Sequence, residues 1–371
     1  MTVGSIRLDN FRNFRELELS FAPGVNIIYG KNGQGKTNLL EAVYMLSITK
    51  SMRGARDRDC VMFGQSFARV AGKVYTDGGT GHTLEMSISG EGKGLRIDGV
   101  GGTPAREWIG CLPVVFFGPQ EMEIVRAGPS RRRRLLDTAL CQIKPRYTRA
   151  LSMYKKAHEH KKGILSRAGG KPSLALAMPE FDLKLAQSGA VVWKERAGYA
   201  VRLAATAANY HRRISGGAED FSAAYAPGVP DTGSGAEDER GLAALLMAAF
   251  ERSREHDLRA ARTRTGMLYD DLDIRVCGRD ARAFASQGQA RTAALALKLA
   301  ERDILREELG EHPVLLLDDV MSELDGTRRA YLTAPDAEDS RQCLITDCGG
   351  GFGGLKNGKT IYIENGEIRE G

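Results

Sequence analysis

The sequence predicts an α/β fold built around a phosphate-cradling loop, and three observations carry that prediction. The apolar run Val25 to Tyr29 leads into Gly30-Lys31-Asn32-Gly33-Gln34-Gly35-Lys36-Thr37, after which Leu39, Leu40, Val43 and Leu46 recur at helical spacing. A second apolar run, Val314 to Leu317, ends in Asp318-Asp319. Strand-like and helix-like segments alternate around these two, over 371 residues that suit one large domain or two coupled ones.

In chain order, Leu17, Leu19 and Phe21 alternate with polar neighbours, which predicts a strand, and Pro23-Gly24 turns the chain into the buried strand Val25 to Tyr29. Residues 66–118 read as short β segments broken at Gly78-Gly79 and Gly101-Gly102, ending in the apolar strand Leu112 to Phe117. Residues 130–215 read as helical and basic. The tract Gly216 to Gly241, with Pro227, Pro230 and Gly233-Ser234-Gly235 inside it, reads as a mobile surface loop. A β segment at Leu272 to Val276 then precedes a long apolar-faced helix to Leu309 and the strand Val314 to Leu317. Cys343 to Thr346 and Thr360 to Ile363 return to β, with a turn at Asn365-Gly366. No internal repeat or heptad run occurs, which excludes a long coiled coil.

Composition narrows the function. At 42% hydrophobic and 27% charged the chain reads as a soluble globular protein. No run approaches the roughly 18 apolar residues of a membrane span. Met1 to Asn10 carries neither a cationic nor an apolar leader, so a cytoplasmic protein without membrane contact is expected. The six cysteines (Cys60, Cys111, Cys141, Cys277, Cys343 and Cys348) show no zinc or redox spacing and read as reduced thiols. The net charge of +6 is mild over the whole chain but concentrated. Arg131, Arg132, Arg133 and Arg134 are followed by Lys144, Arg146, Lys155, Lys156, Lys161 and Lys162. Such a run is by default a solvated helix face, yet phosphate neutralisation by such side chains also drives non-specific DNA binding. His158-Glu159-His160 carries no metal reading, because positions i and i+2 point to different sides of a helix.

The chemistry is concentrated in three places. Gly30 to Thr37 fits G-x-x-x-x-G-K-[ST], in which glycines let backbone N–H groups curl round phosphate oxygens and the helix N-terminus adds its dipole. Lys36 would reach β/γ-phosphates and Thr37 would ligate Mg²⁺. Asp318 would hold the same metal through its water shell, and Asp319 would polarise the attacking water. An apolar strand ending in acids is common on its own; paired with the loop it becomes specific. Third, Ala285-Ser286-Gln287-Gly288-Gln289 opens a helix through Leu295, Leu297 and Leu299. Ser286 is an N-cap there, and hydroxyl plus glycine also make an anion site without a lysine of its own. A second phosphate-binding terminus suggests that each chain meets the nucleotide of another copy.

Ser286-Gln287-Gly288-Gln289 resembles the signature of ABC-type ATPases, and Ser322-Glu323-Leu324-Asp325 resembles their D-loop. Longer stretches narrow the likeness: Asn10-Phe11-Arg12-Asn13-Phe14, Gly33 to Ala42, Ala127 to Asp137, Asp280 to Gln289, and Leu315 to Asp325. On these residues the chain resembles the RecF family, bacterial DNA replication and repair proteins related to the SMC and Rad50 heads. The likeness spans most of the chain and is weakest over 165–260 and after 327.

The resemblance implies an ABC-type ATPase head made of residues 1–135 and 272–371, with a mainly helical lobe, 136–271, inserted in it. It implies ATP and Mg²⁺ as cofactors. Gly30, Lys31, Asn32, Gly33, Gln34, Gly35, Lys36, Thr37 and Asn38 would surround the phosphates, and Arg53, in Ser51-Met52-Arg53-Gly54, would lie near the nucleotide. Thr37 and Asp318 would hold metal, and Asp319, standing where ABC ATPases keep a glutamate, would be the catalytic carboxylate. Ser286, Gln287, Gly288 and Gln289 would act in trans, Asp325 would bridge the two sites, and Gln120 is the Q-loop candidate. Arg131, Arg132, Arg133, Arg134, Lys155, Lys156, Lys161 and Lys162 become DNA contacts. The implied activity is ATP-driven clamping of single-stranded or gapped DNA by a homodimer, released by slow, DNA-stimulated hydrolysis. That activity would support recombinase loading and the SOS response, with RecR and RecO as partners. Two departures stand out. Gly266-Met267-Leu268-Tyr269-Asp270-Asp271-Leu272 replaces the family's Gly-Pro-His-Arg-Asp-Asp-Leu, and Thr346-Asp347 follow the strand after which ABC transporters place a histidine. Two competing readings are a P-loop phosphotransferase working as a monomer on a small substrate, and a degenerate relative that binds DNA without an ATP switch.

Overall fold

Alternating buried and exposed side chains along β1 (Thr2–Phe11) and β2 (Phe14–Ser20) make a hairpin in which Phe11 faces Phe14. The computed structural model describes residues 1–168, 176–229, 238–320, 326, 342–347 and 358–369. It divides into two units, residues 1–122 with 294–371, and residues 123–293.

The first unit continues with β3 (Val25–Tyr29), α1 (Lys36–Ile48), β4 (Phe67–Tyr75), β5 (Gly81–Ser89), β6 (Gly92–Ile97), β7 (Val100–Gly101), α2 (Ala105–Trp108) and β8 (Val114–Phe117). The second holds α3 (Glu123–Arg126), α4 (Pro129–Ile143), α5 (Pro145–Ala168), α6 (Met178–Ile214), β9 (Phe221–Ala226), α7 (Glu239–Ala260), β10 (Asp271–Val276), β11 (Arg279–Asp280) and α8 (Ala281–Phe284). Helix α9 (Gln287–Leu309) leads back to the first unit, which closes with β12 (Val314–Asp318), β13 (Cys343–Asp347), β14 (Lys359–Glu364) and β15 (Glu367–Arg369).

Two sheets organise the first unit. One is antiparallel, in the order β2-β1-β4-β5-β6-β7; the other runs β15-β14-β3-β13-β12-β8 and is parallel except at its β15 edge. Parallel strands covered on both faces read as unbroken apolar runs, which is why Val314 to Leu317 is legible as a strand. Helix α1 is buried on every side from Leu39 to Ile48. Its Leu39, Leu40, Val43 and Leu46 share one core with Ile6 and Val70 of the antiparallel sheet and with Val314 and Leu344 of the parallel one. A helix apolar all round belongs in such a place. In this architecture ligand chemistry gathers at the C-terminal ends of the parallel strands, here those of β3, β12 and β13.

In the second unit α6 packs against α4, α5, α7 and β9, and a small antiparallel sheet runs β11-β10-β9. This sheet corrects the expected loop at 216–241: Phe221–Ala226 is a strand paired with Asp271–Val276, and α7 begins at Glu239. The partner strand lies far along the chain, and Pro227 and the glycines around the segment mask its short alternation. Residues 230–237 lie outside the described residues. The units also divide at Met122/Glu123 and Ala293/Ala294 rather than near 135 and 271, so α4, β10 and Ser286 belong to the helical unit. Arg132 of α4 gives the reason, being bound to Asp271 of β10.

Among the described residues no helix is long and apolar enough to cross a membrane. Among the described residues Cys60, Cys111, Cys141, Cys277 and Cys343 form no disulfide, and Cys348 is outside the described residues.

Candidate functional site

The glycine loop bridges β3 and α1. Its curvature needs Gly30 at φ +153° and Gly35 at φ +116°. A side chain at Gly30 would run into the Ile363 carbonyl oxygen, and one at Gly35 would lie 2.6 Å from Asn13 Nδ2 and 2.9 Å from Phe14. Asn13 latches the loop from the β1–β2 turn: its amide donates to the Gln34 carbonyl at 2.9 Å and accepts from Asn38 at 2.8 Å. On the other side the Asn365 N–H donates to the Gln34 side chain. Lys36 is buried, and its ammonium donates to the carbonyls of Gly30 (2.5 Å) and Lys31 (3.1 Å), which centres a positive charge in the loop. Lys31, Asn32 and Gly33 stand exposed on the rim.

Strand β12 brings the acids to the same place. Thr37 donates its hydroxyl proton to Asp318 Oδ1 at 2.8 Å, and Thr346 donates to the same oxygen at 2.8 Å. Parallel register sets Thr346 directly opposite Asp318. The Thr346 oxygen in turn accepts the Asp319 N–H at 2.9 Å. Burial raises the Asp318 pKa above the usual carboxylate value, while the two threonine hydroxyls and the Arg53 charge pull it back. Asp319 turns off the strand end in the left-handed region, φ +50°, and is half-buried. A threonine hydroxyl beside a buried carboxylate is a hard-oxygen pair suited to Mg²⁺, so the residues present fit the metal the loop motif implies. Sequence reasoning placed Thr37, Asp318 and Asp319 but treated Thr346 only as a missing histidine. Its role rests on cross-strand register, which sequence does not print.

Arg53 follows the C-terminal end of α1 with an exposed side chain, and its N–H donates to Ser51 Oγ at 3.1 Å. Gln120 is exposed on the short turn Pro119–Met122 that follows β8. Ser286 is exposed too and caps α9 reciprocally: the Gln289 N–H donates to Ser286 Oγ at 3.2 Å, and the Ser286 N–H donates to Gln289 Oε1 at 2.9 Å. That box uses the serine oxygen as an acceptor. Gln287 is exposed, and Gly288 and Gln289 are half-buried. Asp325 and the rest of the expected D-loop lie outside the described residues.

The basic run divides sharply, and two of its members are corrected. Lys161 is fully buried, its ammonium 2.7 Å from Asp182, 3.8 Å from Asp257 and 4.8 Å above the Phe250 ring. It lies on the core stripe of α5 with Tyr154, Ala157 and Leu165, so it is an internal ion-pair partner and no DNA contact. Arg132 is likewise buried, holding Asp271 through two bonds of 2.6 and 2.9 Å. Arg133 donates to the Asp270 carbonyl at 2.8 Å, Arg131 pairs with Glu123 at 2.5 Å, and Arg134 is half-buried. Lys155, Lys156 and Lys162 are exposed.

The segment Gly266 to Leu272 explains these arginines. Asp270 is buried, accepts from Arg196 (2.6 Å), the Gly228 N–H (2.7 Å) and the Tyr225 hydroxyl, and has its pKa raised by burial against the pull of Arg196. Arg196 also donates to Asp137 at 2.7 Å and to the Met267 carbonyl at 2.7 Å. Arg196, in the middle of α6, is absent from the residues expected from sequence, because in Lys194-Glu195-Arg196 it reads as one more charge on a helix face. Asp270 and Asp271 are thus the anchors of the helical unit.

Residues 2–348 match the family model described as the RecF/RecN/SMC N terminal domain. The chain is 35% identical over 371 residues to the DNA replication and repair protein RecF of Bacillus cereus strain G9842, covering 99% of this chain and 98% of that one. It is 36% identical over 373 residues to the protein of the same name from Agathobacter rectalis, covering 99% of each. Among solved structures it is similar to the recombination mediator protein RecF-ATP in the RecFOR pathway, with TM-score 0.88 and 34% identity over 99% of this chain and 96% of that one. An Smc head bound to the C-winged helix domain of ScpA shares the fold at TM-score 0.54 and 14% identity, over 100% of this chain and 96% of that one.

Proposed function

The chain belongs to the RecF family of the RecF/RecN/SMC proteins, and from that premise we propose that it is an ATP-switched DNA-binding protein of replication and recombinational repair. The observation that carries the reading is the 2.8 Å bond between Thr37 and Asp318 beside the buried Lys36 ammonium. These groups are what a metal-bound triphosphate needs. Mg²⁺ at Thr37 and Asp318 would neutralise phosphate charge and polarise the transferred phosphoryl group.

The chain's own residues do the rest. Backbone N–H groups from Gly30 to Asn38 curl round the phosphates, and the Lys36 ammonium exchanges loop carbonyls for phosphate oxygens. Asp319 accepts the proton of the water that attacks the γ-phosphorus, with ADP leaving. Thr346 fixes both acids. Arg53 faces the phosphates, and the Ser286 to Gln289 terminus of one copy meets the γ-phosphate of the other, its serine proton available to donate while its oxygen caps the helix. Two ATP molecules then close a homodimer, and Asp325 bridges the paired sites. Differential affinity of the closed state for ATP over ADP is the energy source of the switch.

DNA is held electrostatically. Lys155, Lys156 and Lys162 supply the exposed charge, with Arg131, Arg133 and Arg134 in support. Single-stranded or gapped DNA in the cytoplasm is the proposed ligand, and RecR and RecO are the proposed partners in recombinase loading, in keeping with the RecFOR pathway of the similar RecF structure.

The test is fluorescence anisotropy with a labelled gapped duplex. Affinity is expected to rise with ATP and Mg²⁺ but not with ADP, and the rise to vanish in Lys36→Met. Equal affinity with ATP, ADP or neither would make the chain a DNA binder without a switch.

A further inference from the structure

Helix α1 buries apolar side chains along its length, yet Glu41 sits in its middle with 0% exposure. A carboxylate in that position is costly unless partnered, and an apolar residue would fill the space without that cost. The partners are specific. Arg12 donates through Nε to Glu41 Oε2 at 2.9 Å and through Nη2 to Oε1 at 2.9 Å. Arg12 itself is over-determined: its backbone lies at φ +55°, its N–H donates to the Cys60 carbonyl at 2.8 Å, and its Nη1 donates to the Asp59 carbonyl at 2.5 Å. The second partner is Ser51, 3% exposed, which donates its hydroxyl proton to Glu41 Oε1 and accepts the Arg53 N–H at 3.1 Å.

Glu41 stands one helical turn after Thr37, on the same face of α1. The helix that presents Lys36 and Thr37 therefore also fixes, through two hydrogen bonds, the backbone from which Arg53 starts. The geometry points to Glu41 and Ser51 as positioning residues that hold Arg53 against the phosphate end of the nucleotide site, with Arg12 as the counter-charge of Glu41. This rests on the reading that Arg53 faces the phosphates. A long exposed side chain samples many rotamers, and a fixed origin with a fixed turn restricts which of them point at the site. Misplacement of a positioned group by about 1 Å can cost on the order of 100-fold in rate.

The test uses the full chain with Mg²⁺, measuring single-turnover ATP hydrolysis, ATP affinity by equilibrium titration and the melting curve for Arg53→Ala, Ser51→Ala, Ser51→Thr, Glu41→Gln and the double variant Ser51→Ala/Arg53→Ala. Ser51→Ala and Arg53→Ala should each slow hydrolysis by roughly tenfold or more while ATP affinity stays within about twofold. The double variant should be no slower than Arg53→Ala, because both substitutions remove the same contribution. Ser51→Thr, which keeps the hydroxyl, should restore the rate. Slowing in Glu41→Gln with an unchanged melting curve adds support; Ser51 decides the matter should Glu41→Gln fail to fold. Ser51→Ala at the unsubstituted rate, or losses that multiply in the double variant, would overturn the proposal alone. A full rate in Arg53→Ala, or no hydrolysis in the unsubstituted chain, would remove the reading of the site beneath it as well.

Discussion

At Asp318 two side chains converge on one oxygen: Thr37 and Thr346 both donate to Oδ1, and Thr346 also accepts the Asp319 N–H. Thr346→Val removes a hydroxyl that touches both acids. Hydrolysis is expected to fall by about 10- to 100-fold with ATP affinity nearly unchanged, and stability to fall by about 1–3 kcal/mol because a donor is left without its acceptor. Stopped-flow turnover and urea unfolding measure the two separately. Beside Arg12, burial pushes the Cys60 thiol up to about 11 from an ordinary 9.0, against the opposing charge of that arginine. A raised folded pKa means the neutral thiol is the form the fold favours. The associated stability is therefore complete below pH 9 and lost as pH rises through 11, a change of about 2–3 kcal/mol. Urea midpoints at pH 8 and pH 11 should diverge less in Cys60→Ala than in the unsubstituted chain. The placement of these residues was legible where it was contiguous. Lys36 and Thr37 stand in one motif and Asp318 ends one apolar strand, whereas Thr346 acquires its meaning only from the neighbouring strand.

At the scale of elements, α5 shows what a charge run conceals. Lys155, Lys156, Lys161 and Lys162 look alike as a list, but Lys161 falls four residues after Ala157 and four before Leu165, on the buried stripe. The 3.6-residue period carried that signal, and reading the charges as one patch passed over it. Lys161→Met leaves Asp182 buried with Arg254 as its remaining cationic partner among the described residues, at 3.1 Å, and should cost about 3–5 kcal/mol in urea unfolding. Reversing Lys155, Lys156 and Lys162 to Glu together should leave stability within about 1 kcal/mol and flatten the salt dependence of DNA binding by roughly one slope unit per lysine. A slope that does not change would place the DNA footprint on another face. The arginine run divides for the same reason: Arg132 is spent on Asp271, and Arg196, far off in sequence, on Asp270. Strand β9 was hidden for a related cause, since its pairing partner β10 lies beyond the whole of α7.

For the molecule as a whole, the division between ATPase head and helical unit was legible in outline, because the loop and acid motifs stand near opposite ends of the chain and a basic helical stretch stands between them. Where the units meet along the chain was not legible: α4 and the Ser286 terminus fall within 123–293, bound there by pairs such as Arg132–Asp271. In the proposed dimer each site is completed by a second copy, each chain offering Lys36, Thr37 and Asp318 to one nucleotide and Ser286 to the other. Sedimentation velocity with Mg²⁺ and no nucleotide, ADP or ATP tests it most directly, run on the unsubstituted chain, Lys36→Met and Ser286→Arg. A dimer is expected with ATP alone, absent in Lys36→Met through loss of nucleotide and absent in Ser286→Arg although ATP still binds. A monomer under every condition with ATP bound, or a dimer that ignores Ser286→Arg, would contradict it.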